Sequence, residues 1–164
     1  MAAVGATVAE AAGFSGGARG WRRTERAPGV STVVPVQPGA VRGGVRNLLR
    51  LEGAVLLAGA LLAYDQVGAG WGAFALLFLL PDVSLLGYLA GARTGAMLYN
   101  AAHSYLGPAA LIALGALAAQ PVALALGLVW LAHIGFDRLL GYGLKYGSSF
   151  GATHLGQLGP RDAW

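Results

Sequence analysis

Four apolar stretches follow one another along the chain, at residues 47–64, 71–91, 94–119 and 121–143. Each has roughly the 17–25 residues that an α-helix needs to cross the hydrocarbon core of a bilayer. None shows the strict alternation of a half-buried strand. The turns between them are very short, which makes neighbouring helices antiparallel. The pattern therefore predicts an all-α integral membrane bundle of four transmembrane helices. Pro81 should kink the second helix and Pro108 the third, because proline removes a backbone donor from a helix interior. The run Gly87-x-x-x-Gly91-x-x-x-Gly95 has the small-residue spacing that lets helix backbones approach closely.

Composition supports this picture. Of 164 residues, 56% are apolar and 11% charged, against about 25% charged in soluble domains. Mean hydropathy is +0.61. Without cysteine, disulfides, thiolate metal sites and cysteine nucleophiles are excluded. The net charge of +4 is distributed as topology requires. Arg42, Arg46 and Arg50 precede the first stretch, Arg93 separates the second from the third, and Arg138 and Lys145 end the fourth. The other two turns carry no basic residue, so the positive-inside rule predicts both termini cytoplasmic. Trp71 then anchors the outer interface, and Tyr88, Tyr142 and Tyr146 the inner one. Such placement suits anionic lipid, and no pattern for nucleic acid is present. The expected organisation is a flexible basic tail over residues 1–45, a membrane domain over 46–147 and a cytoplasmic segment over 148–164. In the tail, Arg19, Arg22, Arg23 and Arg26 follow the weak apolar start instead of preceding it, which argues against a signal peptide.

The candidate chemistry lies in the few polar residues inside the apolar stretches. Glu52, Asp82, Asn100, His103, His133 and Asp137 all fall in the cytoplasmic half of their helices. At about 1.5 Å of rise per residue, the acids and histidines lie roughly 7–15 Å below the inner surface. Ionisable groups are costly in a bilayer and usually face a protein interior, where they mark a functional site. His133 and Asp137 are four residues apart and share a face, as do Tyr99 and His103. Carboxylates and imidazoles on facing helices are the ingredients of a divalent-metal site, with Asp82, His103, His133 and Asp137 as ligands. Glu52 and His154 are then candidates for proton handling, with His154 brought beneath the bundle by a C-terminal segment that turns back. Arg93, Arg138 or Lys145 could hold a phosphate head group. The same residues also fit a dry structural network, with the acids paired to the histidines. A haem or pigment bound between His103 and His133 is a third reading.

The runs LLRLEG, PDVSLLGYLAG, YNAAHSY, WLAHIGFDRLLGYGLKY and THLG together resemble a family of small bacterial membrane proteins classed as a domain of unknown function. The resemblance covers about residues 47–156 and implies a multi-helix membrane protein with no activity attached; the expected location is the bacterial inner membrane. The chain is also similar to predicted inner-membrane metal-dependent hydrolases, through Pro81-Asp82, His103-Ser104 and His133-x-x-x-Asp137. It departs from them in having Val83 and Ser84 where a second acid follows Pro-Asp, and in lacking a His-Arg before His-Ser. The functional expectation is a metal-assisted hydrolase acting on a lipid-linked substrate near the cytoplasmic leaflet. The alternative is a non-catalytic membrane protein or an accessory subunit of a larger membrane complex. Membrane lipid, and other membrane subunits in the second case, are the expected partners.

Overall fold

A computed structural model describes residues 39–158. Most of the expected N-terminal tail (residues 1–38) and the end of the chain (159–164) lie outside the described residues. Within them are helices α1 (Gly43–Val67), α2 (Trp71–Phe78), a 3-10 helix (Leu80–Ala90), α3 (Ala92–Ala102), α4 (Leu106–Leu117) and α5 (Pro121–Leu140). A hairpin of β1 (Ala152–Thr153) and β2 (Gly156–Gln157) follows. Three segments are long and apolar enough to cross a membrane: Gly43–Val67, Trp71–Ala90 and Pro121–Leu140. The outward side chains match such a setting. Leu76 and Leu89 of the second segment and Leu117 of α4 are 80%, 88% and 89% exposed, a surface that suits lipid and not water.

Helix α5 is the centre of the bundle, and glycines set how closely its neighbours approach. A Cβ on Gly53 of α1 would stand 2.6 Å from Arg138 Cβ and 2.9 Å from the Gly135 carbonyl. A Cβ on Gly135 would stand 2.8 Å from Leu57 N. The two backbones are therefore in contact. Helix α4 meets α5 in the same way, with Gly127 against Ile112 and Gly115 against Leu124. Towards the end of the bundle opposite the C-terminal segment, buried Tyr64, Leu128 and Val129 form a core with Phe74 and Phe78 packed against it. The small-residue run acts between the 3-10 helix and α3, where Gly87 receives Leu98 and Gly95 receives the Tyr88 ring. Gly91 makes the turn between them at φ +103°, a conformation that a Cβ would strain.

Two of the expected helices are built differently from the reading above. The second does not continue as a kinked α-helix. It ends at Phe78, and Pro81 lies in the first turn of an 11-residue 3-10 helix. Proline fits a first turn because its missing N–H has no helical partner there. A 3-10 run of this length is uncommon and marks a segment held by its surroundings. The third, expected to run over residues 94–119 with a kink at Pro108, is instead interrupted at residues 103–105. Pro108 falls in the first turn of α4, so it starts a helix where a bend was expected.

Beyond α5 the chain turns back beneath the bundle. Gly141 caps α5 at φ +97°, and Tyr142 N–H donates to the Asp137 carbonyl. Lys145 then pairs with Thr153, and His154 N–H donates to Leu144 O. Val41, just before α1, donates its N–H to the His154 carbonyl at 2.8 Å. The start of the first helix and the segment after the last one therefore meet at one end of the bundle. Ala152, Thr153 and Leu155 are fully buried there, so this segment is part of the fold.

Candidate metal centre

The interruption at His103 is where the site is assembled. A broken helix leaves carbonyls without helical donors, and inside a membrane these must find others. Two side chains of α5 supply them. Trp130 Nε1 donates to the Ala102 carbonyl at 2.6 Å, and Arg138 Nη2 donates to the His103 carbonyl at 2.8 Å. Arg138 is 5% exposed and also donates to Tyr142 O, which makes it a staple between α3, α5 and the C-terminal segment. His103 itself turns back on its helix. Its Nδ1 lies 2.9 Å from the Tyr99 carbonyl, and its ring stacks on the Tyr99 ring at 3.7 Å. A carbonyl can only accept, so Nδ1 carries the hydrogen and the neutral ring presents a bare Nε2.

That Nε2 points at the other residues singled out above. It lies 3.1 Å from His133 Nε2, 3.4 Å from Asp82 Oδ1 and 3.5 Å from Asp137 Oδ2. His133 Nε2 lies 3.6 Å from Asp82 Oδ1 and 4.0 Å from Asp137 Oδ2. The structure thus brings Asp82, His103, His133 and Asp137 together, from the 3-10 helix, the end of α3 and two turns of α5. Asp82, His103 and His133 each offer a ligand atom within 4.8 Å of the other two. Asp137 stands beside this trio and accepts the Tyr99 hydroxyl at 3.0 Å. Both histidines are buried, and the His133 ring is wedged edge-on against Phe78 with its Nδ1 unpartnered.

The other expected residues lie elsewhere. Glu52 is exposed on α1, outside the group of ion pairs that links Asp82, His103, His133 and Asp137. His154 is under the bundle, but its Nδ1 accepts the Leu144 N–H at 2.8 Å instead of facing the acids. Burial, with the positive charge of Arg138 in support, holds His154 below the ordinary imidazole value. Arg93 is exposed next to Gly147. Lys145 is 5% exposed, and its amine is closely caged: it donates to Phe150 O at 2.9 Å and lies 3.6 Å and 4.8 Å from the Phe150 and Tyr99 ring centres. Burial pushes this amine down to about 8, opposed in part by Asp137 and Asp82. The Asn100 amide grips the Lys145 backbone from both sides, donating to its carbonyl at 2.9 Å and accepting its N–H at 2.7 Å.

Three contributors were not legible as such in the sequence. Arg138 and Lys145 looked like interface charges, and nothing in the apolar run singled out Trp130. Asn100 gave the clearest available signal, as an amide in an apolar run that needs partners of its own.

Residues 46–158 match the family described as Domain of unknown function (DUF4260), and the chain belongs to that family. Neither a curated protein nor a solved structure matches it.

Proposed function

We propose that this member of the domain-of-unknown-function family is a metal-binding protein of the bacterial inner membrane that hydrolyses a substrate at its cytoplasmic leaflet. The observation that carries the metal reading is the triangle of His103 Nε2, His133 Nε2 and Asp82 Oδ1, with edges of 3.1, 3.4 and 3.6 Å. Ligands bound to zinc at about 2.0–2.1 Å in a tetrahedron stand about 3.3–3.4 Å apart. The triangle is thus close to one face of such a tetrahedron. Two imidazoles and one carboxylate also form the kind of donor set that leaves a fourth position open for chemistry. The Tyr99 carbonyl fixes the His103 tautomer, as an outer partner of a ligating histidine does.

A bound divalent ion supplies Lewis acidity and makes water a nucleophile near neutral pH. The protein's own residues do the rest. Asp137, oriented by the Tyr99 hydroxyl, accepts the proton of the attacking water. We assign it the role expected of Glu52 and His154, because it alone of the three adjoins the centre. Phe78 and the buried faces of α3 and α5 exclude bulk water.

In the topology we propose, both termini are cytoplasmic, and α3 and α4 together make the fourth passage around their interruption. The contact between Val41 and His154 supports this, since three passages would leave those residues on opposite faces. The second reading is a non-catalytic protein whose polar cluster sets helix register. It draws on the 3.1 Å separation of the two Nε2 atoms, which one shared hydrogen would satisfy without a metal. Elemental analysis of the detergent-purified full chain separates the two. Stoichiometric zinc, manganese or iron that is lost in His103→Ala and His133→Ala supports the metal centre. A protein that stays metal-free after equilibration with each ion overturns it in favour of the dry network.

A further inference from the structure

The centre is not equally buried on all sides. The His103, His133 and Asp137 side chains are 0%, 2% and 13% exposed, whereas that of Asp82 is 39% exposed. Its neighbours Leu79, Leu80, Val83 and Leu86 are exposed apolar side chains. The open side of the centre therefore lies on the surface that meets hydrocarbon. The end nearest the C-terminal segment is covered, because Asn100 and Lys145 fasten that segment to α3.

An apolar cavity of about 340 Å³ is walled by Pro81, Ser84 and Ala102, of which Pro81 and Ala102 adjoin Asp82 and His103 in the chain. Its volume lies within the range of small-molecule sites, about 300–1,000 Å³. The Ser84 hydroxyl in that wall is buried and has no partner among the described residues, a costly state for a polar atom. The far wall is Leu77, Leu126 and Val129, and the same three residues wall a second cavity of about 320 Å³. That one extends to Tyr64, Gly68 and Pro121 at the opposite end of the bundle. The two adjoin across these three side chains as a track along α5, which runs from the chain neighbours of Asp82 and His103 toward the opposite end of the bundle.

We propose that this track holds one acyl chain of a membrane phospholipid, which enters sideways from the bilayer past Asp82. The ester linkage then lies beside Ser84, whose hydroxyl donates to it, and within reach of the His/Asp centre. This names the substrate class of the proposed hydrolase and rests on that reading for the fate of the ester. Occupancy of the track does not depend on the metal.

The test uses the full chain reconstituted in phosphatidylglycerol vesicles that contain a minor fraction of phosphatidylglycerol with a diazirine on one acyl chain. After illumination, mass spectrometry maps the adducts. Val129 is the diagnostic position, because it is 3% exposed and annular lipid does not reach it. Adducts at Val129, Leu77 and Trp130 are expected, and Leu126→Trp, which narrows the shared wall, should lose them. Adducts confined to outward residues such as Leu76, Leu89 and Leu117 overturn the proposal. The mapping in the unsubstituted protein decides even if Leu126→Trp fails to fold. Metal content is measured on the same sample. Metal without track adducts overturns this inference alone, and track adducts without metal uphold it while overturning the metal centre.

Discussion

At His154 the Leu144 N–H lands on Nδ1, so the neutral ring carries its hydrogen on Nε2. Burial and the charge of Arg138 hold this imidazole below its ordinary value of about 6.5. The sign follows from linkage. As pH falls, the unfolded chain takes up the proton first, so stability is lost as pH drops through the unfolded value. Protonation at Nδ1 also removes the acceptor that Leu144 uses. The protection of the Leu144 amide against solvent exchange, taken relative to the intrinsic rate at each pH, should therefore fall as pH drops below the ordinary imidazole range, and His154→Gln, which keeps an acceptor without titrating, should flatten the dependence. Equal acid sensitivity in that variant would show that another group is responsible. The same scale explains what the sequence conveyed of the site. Asp82, His103, His133 and Asp137 stand out because an ionisable group in an apolar run has few innocent explanations. Arg138, Trp130 and Asn100 act on backbone groups, and which backbone groups lack partners is decided only by the tertiary fold.

Between elements, contact is set by glycines whose roles differ although their sequence context does not. Gly53 and Gly135 lie where the α1 and α5 backbones touch, whereas Gly59, also on α1, has nothing within 4 Å of a Cβ. Gly135→Val should destabilise the protein by about 1–3 kcal/mol through overpacking, measured as unfolding in mixed micelles. Gly59→Val should be close to neutral. Equal losses would mean that helix propensity, and not the crossing, governs the result. The helical class and the membrane-length apolar stretches at Gly43–Val67, Trp71–Ala90 and Pro121–Leu140 were readable from length and composition. The 3-10 helix was not, and the break at His103 was legible only as a bend expected at Pro108. Proline has no N–H for the carbonyl four residues before it, here Ser104, so it disfavours helix one turn upstream of itself. The donors on α5 that satisfy the Ala102 and His103 carbonyls are encoded by no local pattern in that run.

For the whole molecule, the meeting of Val41 with His154 makes orientation a single question. Both described ends lie on one face, and the basic residues of that face predict the cytoplasm. A reporter fused after Trp164 should be active if it works in the cytoplasm and silent if it requires the periplasm. A fusion in the turn at Gly68 should behave in the opposite way. Matching signals from the two positions would overturn an even number of crossings.

The donors that quiet the interrupted helix come from a part of the chain made later. While the chain is being synthesised, residues 103–105 emerge before Trp130 and Arg138 exist to receive the Ala102 and His103 carbonyls. Bare carbonyls are unfavourable in hydrocarbon, so α3 and α4 should wait near the water interface, or in a provisional unbroken helix, until α5 arrives. The His/Asp centre is then the last feature to form during biogenesis, and a chain stalled before α5 would carry the histidine of α3 with nothing to hold it in place.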